Sequence, residues 1–225
     1  MPAAIPTLDA LTAREAALVQ QEGRTSFSLR MHRAISWLRR AEQEHEAGDA
    51  DIAFICQWIA FNAAYAQELS GLSEKASFKQ FIEKICALDA EKWLDGIIWR
   101  TYSGPIRTLL DNQYVFQTFW DAMNGKAPAN GWKQALEQKC AQVRRGALSK
   151  QNTAHVLFET FTRLYTLRNQ LMHGGATWQG RVNRPQVRDG SAILAHLLPA
   201  ILAIMLGAPQ QFQAPPFYPV VGEKN

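Results

Sequence analysis

Apolar positions recur at helical spacing along almost the whole chain, and nowhere do they alternate with the period of a strand. Ser28 to Ala47 sets Leu29, Ile35, Trp37 and Leu38 on one side, and Gly48-Asp49 ends it. Asp49 or Asp51 is placed to cap the next helix, expected over 50–69, in which Phe54, Trp58, Phe61 and Tyr65 share a face. Ser77 to Leu88 repeats the pattern with Phe78, Phe81, Ile82 and Ile85. Lys92 to Leu110 is helical with a break at Ser103-Gly104-Pro105, and Tyr114 to Met123 is short and aromatic. The stretch 124–131, holding Asn124-Gly125, Pro128 and Asn130-Gly131, is a loop. Trp132 to Leu148 is a helix with a basic end at Arg144, Arg145 and Lys150, and Gln151 to His173 is another. These elements predict an all-α fold of helix pairs joined by short breaks. They occupy a helical domain over 28–207. Residues 1–27 read as an arm with a short helical pattern (Leu8, Leu11, Leu18) that packs on a neighbour, and 208–225 as a Pro-rich, extended tail.

The most apolar run is Ser191 to Gly207. At roughly 1.5 Å per residue it spans about 26 Å, short of a bilayer core of about 30 Å. It also holds His196 and Pro199, so a buried core or interface helix is expected and no membrane contact. The N-terminus lacks a basic stretch followed by an apolar core, so no signal peptide is read. Three cysteines, Cys56, Cys86 and Cys140, stand apart without CxxC spacing, which suits reduced thiols and a cytoplasmic location. A formal charge of +4 is compatible with a polyanionic partner without demanding one. The five histidines are dispersed and no Cys/His cluster has zinc spacing, so no metal site is expected. No phosphate-binding glycine loop, dinucleotide fingerprint or nucleophile elbow is present, so no cofactor is implied.

The chemistry gathers at the end of the helix that closes on Gly174-Gly175, read LYTLRNQLMHGG. With Phe161 at zero on a helical wheel, Met172 lies near +20°, Tyr165 near +40° and Arg168 near −20°. Arg168 is therefore expected within an apolar stripe, where a guanidinium needs an anion or a polar partner. Asn169 and His173 lie one turn apart on the flank, so their side chains can hydrogen-bond and select an imidazole tautomer. One reading is structural, an interface ion pair plus a helix-capping histidine. The other is chemical. Histidine moves protons near neutral pH, and arginine holds a phosphate in a bidentate fork and stabilises developing charge. Together they suit metal-free RNA cleavage, in which the ribose 2′-hydroxyl attacks the adjacent phosphorus while Arg168 stabilises the phosphorane.

RNQLMHGG, with WIAFNAAY on an earlier helix, resembles the HEPN superfamily, the higher-eukaryote and prokaryote nucleotide-binding helical domains, and among them the Apea-like and related bacterial proteins. The family pattern is Arg, a polar residue that is often Asn, then His four to six positions after the Arg, here Arg168, Asn169 and His173. The resemblance spans about 28 to 207 and is carried by those two signatures. It implies a HEPN-type helical bundle with extra helices, and a homodimer in which two motif copies form one cleft. It also implies a metal-independent endoribonuclease in a toxin–antitoxin or phage-defence setting, with an antitoxin or defence-complex partner. Arg181, Arg184 and Arg188, in the loop expected over 174–189, would contact RNA backbone, or else be solvated surface charge. Gly175 stands where related toxins often carry a modified Tyr, which argues against that form of regulation. The alternative function is a catalytically silent module that binds RNA, nucleotide or a protein partner. WIAFNAAY alone is equally a core helix in which Asn62 is the one polar residue needing a partner.

Overall fold

The computed structural model of the chain describes residues 4–65, 74–148, 151–216 and 218. Among them are ten α-helices and no β-strand, so the chain is all-α. The end of the helix expected to residue 69, Lys150, and the tail after 218 lie outside the described residues. Contacts gather the chain into two units, 1–91 with 194–225, and 92–193.

In the first unit, α1 (Leu8–Glu22) starts where the Thr7 hydroxyl accepts the Ala10 N–H, and it buries Leu8 and Leu11. It lies on α2 (Ser26–Glu46), so the N-terminal segment packs within its own unit. Thr25 and Ser28 close a reciprocal capping box at the start of α2. Its buried face is Phe27, Met31, Ala34, Ile35, Leu38 and Ala41, joined by Arg30. Leu29 is only half-buried and Trp37 is exposed, so the face is rotated from the one expected. Gly48 turns the chain at φ 77°, and the Asp49 carboxylate accepts the N–H groups of Asp51 and Ile52, capping α3 (Ala50–Tyr65). α2 and α3 form the main helix pair of this unit.

On α3 the aromatic signature packs inward. The Phe61 ring lies 5.6 Å from Trp58, 5.5 Å from Tyr65 and 5.9 Å from Phe78. Phe78 and Phe81 belong to α4 (Glu74–Leu88). Asn62 is half-buried beside this cluster.

The C-terminal segment is bound to this unit. After a 3₁₀ turn at Pro209–Gln211, Phe212 is buried between the rings of Phe27 and Phe81, and the Lys84 ammonium sits 4.7 Å over its face. Arg30, 1 % exposed, donates Nη1 to the Phe212 carbonyl at 3.0 Å and to the Ala214 carbonyl at 3.1 Å, and Nη2 to the Ala64 carbonyl. Burial pulls its pKa down to about 10.

The second unit begins with α5 (Trp93–Gly96), which runs into a π-helical turn at Ile97–Thr101; the expected break then falls at Tyr102, before α6 (Ser103–Asp111). A 3₁₀ turn at Gln113–Val115 leads to α7 (Gln117–Met123), then α8 (Gly131–Gln142), which ends in a second π turn at Val143–Leu148. α9 (Thr153–Met172) follows, its N-terminus capped by the Asn152 side chain. It packs on α6, both π turns and the 3₁₀ turn, burying Val156, Leu157, Phe161, Leu164 and Leu167. α10 (Arg184–Gly207) starts seven residues before the apolar run expected from 191, so the loop after α9 is shorter than expected. The division between the units falls within α10. By length and composition α10 is able to cross a membrane, but 67 % of its most apolar window is buried inside the protein, as in a core helix.

Removing the Arg30 guanidinium would leave its acceptor carbonyls without these donors, at about 1–3 kcal/mol for each one left unpaired. Arg30→Met is therefore expected to lower the midpoint of denaturant unfolding, and Phe212→Ala to lower it further, through a loss of about 3–5 kcal/mol of stability. Unchanged midpoints in both variants would show that the C-terminal segment contributes nothing to stability.

Candidate functional site

α9 ends where the double glycine was expected to end it. His173 is the last helical-side residue, at φ −100°. Gly174 takes φ 69°, its N–H donates to Leu171 O, and the Gly175 N–H donates to Gln170 O at 2.7 Å. This pair of reversed bonds satisfies two carbonyls that the helix leaves open. A side chain at 175 would place its Cβ 3.0 Å from the Gln170 carbonyl, so the closure itself disfavours anything larger than glycine there.

The stop fixes where the three motif residues stand. Arg168 and Asn169 are half-buried, and His173 is exposed. Arg168 Nη1 donates to Asn169 Oδ1 at 3.0 Å. Asn169 and His173 meet through the backbone, the His173 N–H donating to the Asn169 carbonyl at 3.0 Å. The Asn169 amide therefore steers the guanidinium, not the imidazole as the spacing suggested. The stripe around Arg168 also differs from expectation. Phe161 is buried, but Tyr165 and Met172 are 44 % and 51 % exposed, and Trp178 just beyond the helix is 67 % exposed. Arg168 thus stands at the border of the buried face, next to an open apolar strip.

The three downstream arginines divide. Arg181 and Arg188 are exposed. Arg184 is half-buried in the first turn of α10, and its Nε donates to the Gly180 carbonyl at 3.1 Å, so it helps hold the turn that precedes the helix. Arg184 and Arg188 lie on α10 itself, not on a loop as expected.

Two features escaped sequence reasoning. On the buried side of α9, Arg163 donates Nε and Nη2 to the Leu110 carbonyl at 3.3 and 3.0 Å, and stacks 4.4 Å over the Phe116 ring. Burial lowers its pKa, while Glu159, one turn earlier and also buried, works to raise it. Glu159 takes an ion pair from Lys139 Nζ at 2.6 Å. The thiol of Cys140 also donates to Leu110 O, at 3.6 Å, and burial first, then Asp111, pushes that thiol up, away from the reactive thiolate. The i, i+4 spacing of Glu159 and Arg163 was the available signal, but it reads equally well as a solvated pair.

The second is Gln170, between Asn169 and Leu171. Its Nε2 donates to the Tyr114 carbonyl, and its Oε1 accepts from Asn183 Nδ2. One amide therefore ties the motif turn to the 3₁₀ turn after α6 and to the residue that precedes α10. Nothing in the spacing of a glutamine announces such a role.

No protein-family model matches this chain, and neither a curated protein nor a solved structure is detectably similar to it.

Proposed function

We propose that the chain is a metal-independent endoribonuclease of HEPN type that works as a homodimer. The observation that carries this reading is the state of Arg168. The buried arginines, Arg30 and Arg163, donate to backbone carbonyls of the fold. Arg168, among the described residues, makes one side-chain bond, to Asn169 Oδ1, which leaves most of its donors for a ligand. Exposed His173 lies at the end of the same turn, and exposed Arg181 and Arg188 follow. In the reaction, the 2′-hydroxyl attacks the neighbouring phosphorus, its proton leaves to a base, and the 5′-oxygen departs with a proton. His173 moves a proton and Arg168 holds the charge of the phosphorane. Tyr165 and Met172, exposed one turn to either side of Arg168 on α9, suit a face covered by a second copy.

A second reading has its own support. Asn169 Oδ1 accepts from Arg168, and among the described residues no motif side chain hydrogen-bonds the imidazole of His173. This favours a silent module that binds RNA, nucleotide or a protein partner such as an antitoxin or defence component.

Cleavage products are expected to carry 2′,3′-cyclic phosphate and 5′-hydroxyl ends, in the presence of EDTA, with DNA inert. His173→Ala is expected to slow cleavage by ~10²–10⁴-fold. Arg168→Ala should slow it comparably, and Asn169→Ala, which frees the guanidinium, should lower the rate without abolishing it. Product-end analysis and single-turnover rates check this. EDTA-sensitive cleavage or a fully active His173→Ala protein would overturn the mechanism, and a folded dimer that cleaves no RNA would favour the silent module.

Two binding measurements bear on the same surface. Sedimentation should report a dimer, with an interface of roughly 1,600 Å² or more, that Tyr165→Asp converts to monomer. For single-stranded RNA, each lost phosphate contact flattens the salt dependence by about 0.7 in log–log slope. Arg181→Ala with Arg188→Ala should flatten it by about twice that, and an unchanged slope would make both arginines plain surface charge.

A further inference from the structure

We infer that the open groove of the second unit, about 840 Å³ in volume, is a nucleobase-binding site that selects among the bases of an RNA single strand. This rests on the ribonuclease reading and deepens it by giving the enzyme a source of base preference.

The groove runs between the end of α6 with its 3₁₀ turn and the start of α10. Asp111, Asn112, Gln113 and Tyr114 line one side, and Arg181 and Gln186 the other. Its size falls in the range of small-ligand sites, about 300–1,000 Å³. Its chemistry is that of a base edge. Gln113 and Gln186 are half-buried, and among the described residues neither side chain makes a hydrogen bond, so each offers a donor and an acceptor. Asp111 is neutralised by Arg144 Nη2 at 2.9 Å, so the groove does not repel a nucleotide, and its carboxylate remains an acceptor. Arg181 is exposed at the rim. One free cation and a row of amides would make a poor phosphate site, but they match the mixed donors and acceptors of a base.

The wall is also shaped for stacking. Tyr114 is 46 % exposed, and a T-shaped contact with Phe119 at 5.5 Å holds its ring. Its backbone is anchored on three counts. Its N–H donates to Asn112 Oδ1, and its carbonyl accepts from Trp120 Nε1 and from Gln170 Nε2. Single-stranded RNA is recognised by this pairing of aromatic stacking with edge hydrogen bonds. Gln170 adjoins Asn169, and its other end binds Asn183, which also lines the groove. A base seated there would lie on the same framework that holds the motif turn.

The test uses the full chain carrying His173→Ala, so that RNA stays intact, titrated at low salt with fluorescein-labelled oligo(A), oligo(C) and oligo(U). Affinities are expected to differ by about tenfold or more between the best and worst strand. Adding Gln113→Ala and Gln186→Ala should bring the three within about twofold. Tyr114→Ala should weaken all three by about tenfold, while Tyr114→Phe keeps the ring and the affinity. Equal affinities before the change, or a preference that survives the double substitution, would overturn the groove assignment and leave RNA binding intact. No binding of any strand would overturn the RNA reading itself, and the groove with it.

Discussion

A carbonyl in the last turn of a helix has no partner inside that helix, and a buried one must find a donor elsewhere. One helix end here receives its donor from a buried arginine, and a second buried arginine serves carbonyls elsewhere in the fold. Arg163 closes the end of α6 at Leu110, and Arg30 reaches Ala64 in the last described turn of α3 together with the carbonyls of Phe212 and Ala214. Arginine suits this task because it carries several donors in a fixed fork and no acceptor that would itself need a partner. The cost is a charge taken out of water, which burial registers as a lowered pKa at both residues. At Arg163 the cost is offset by Glu159 and by the ring of Phe116. At Arg30 the guanidinium is met by the carbonyl dipoles of Phe212, Ala214 and Ala64. Each unit is thus fastened by a cation that joins segments far apart in sequence.

In the second unit this fastening sets the axis of α9, and the rest of the candidate site follows from it. With Arg163 turned to α6, the helix must present the opposite side, near Tyr165, Asn169 and Met172, outward. Arg168 falls on the border between the two. It lies close enough to the core to be half-buried and ordered by Asn169, yet is left out of the carbonyl bookkeeping that occupies the other buried arginines. The reversed bonds at Gly174 and Gly175 then end the helix one residue after Met172, so His173 is presented at a terminus and not folded under a further turn.

Most helix spans were legible in the amino-acid sequence because apolar spacing and punctuation agreed. The turn at Gly48-Asp49, the break near Ser103-Gly104-Pro105 and the stop at Gly174-Gly175 each have a local physical cause, and local causes are what a sequence displays. The facing of α9 was not legible. Its buried side extends from Phe161 through Leu164 and Leu167 to Arg163 and Thr166, well over a third of the circumference, because α6, the π turns and the 3₁₀ turn approach it from several directions. On such a helix hydrophobicity no longer marks the buried face. Arg163, Glu159 and Thr166 are inside while Tyr165 and Met172 are outside. The start of α10 was missed for a similar reason. Three arginines in the span 181–188 suggest a solvated loop, but Asn183 at φ 56° receives the Val187 N–H on its carbonyl and begins the helix there.

That inversion is also what separates structural from functional demand on α9. Polar groups that the fold needs are inside and bonded, while apolar groups such as Tyr165 and Met172 stand largely in water. Tyr165 and Met172 flank the one arginine of this helix whose donors the fold leaves largely unused. Apolar area left in water contributes about 25 cal/mol per Å² once it is covered, so such a strip favours association. An arginine set within it would be carried into any interface that forms, where its remaining donors need an acceptor more than they do in water. On the proposed dimer, coverage of the strip and capture of an anion by Arg168 would therefore be coupled. A second chain without an anion would bury an under-satisfied guanidinium, while a phosphate held between two copies satisfies both at once.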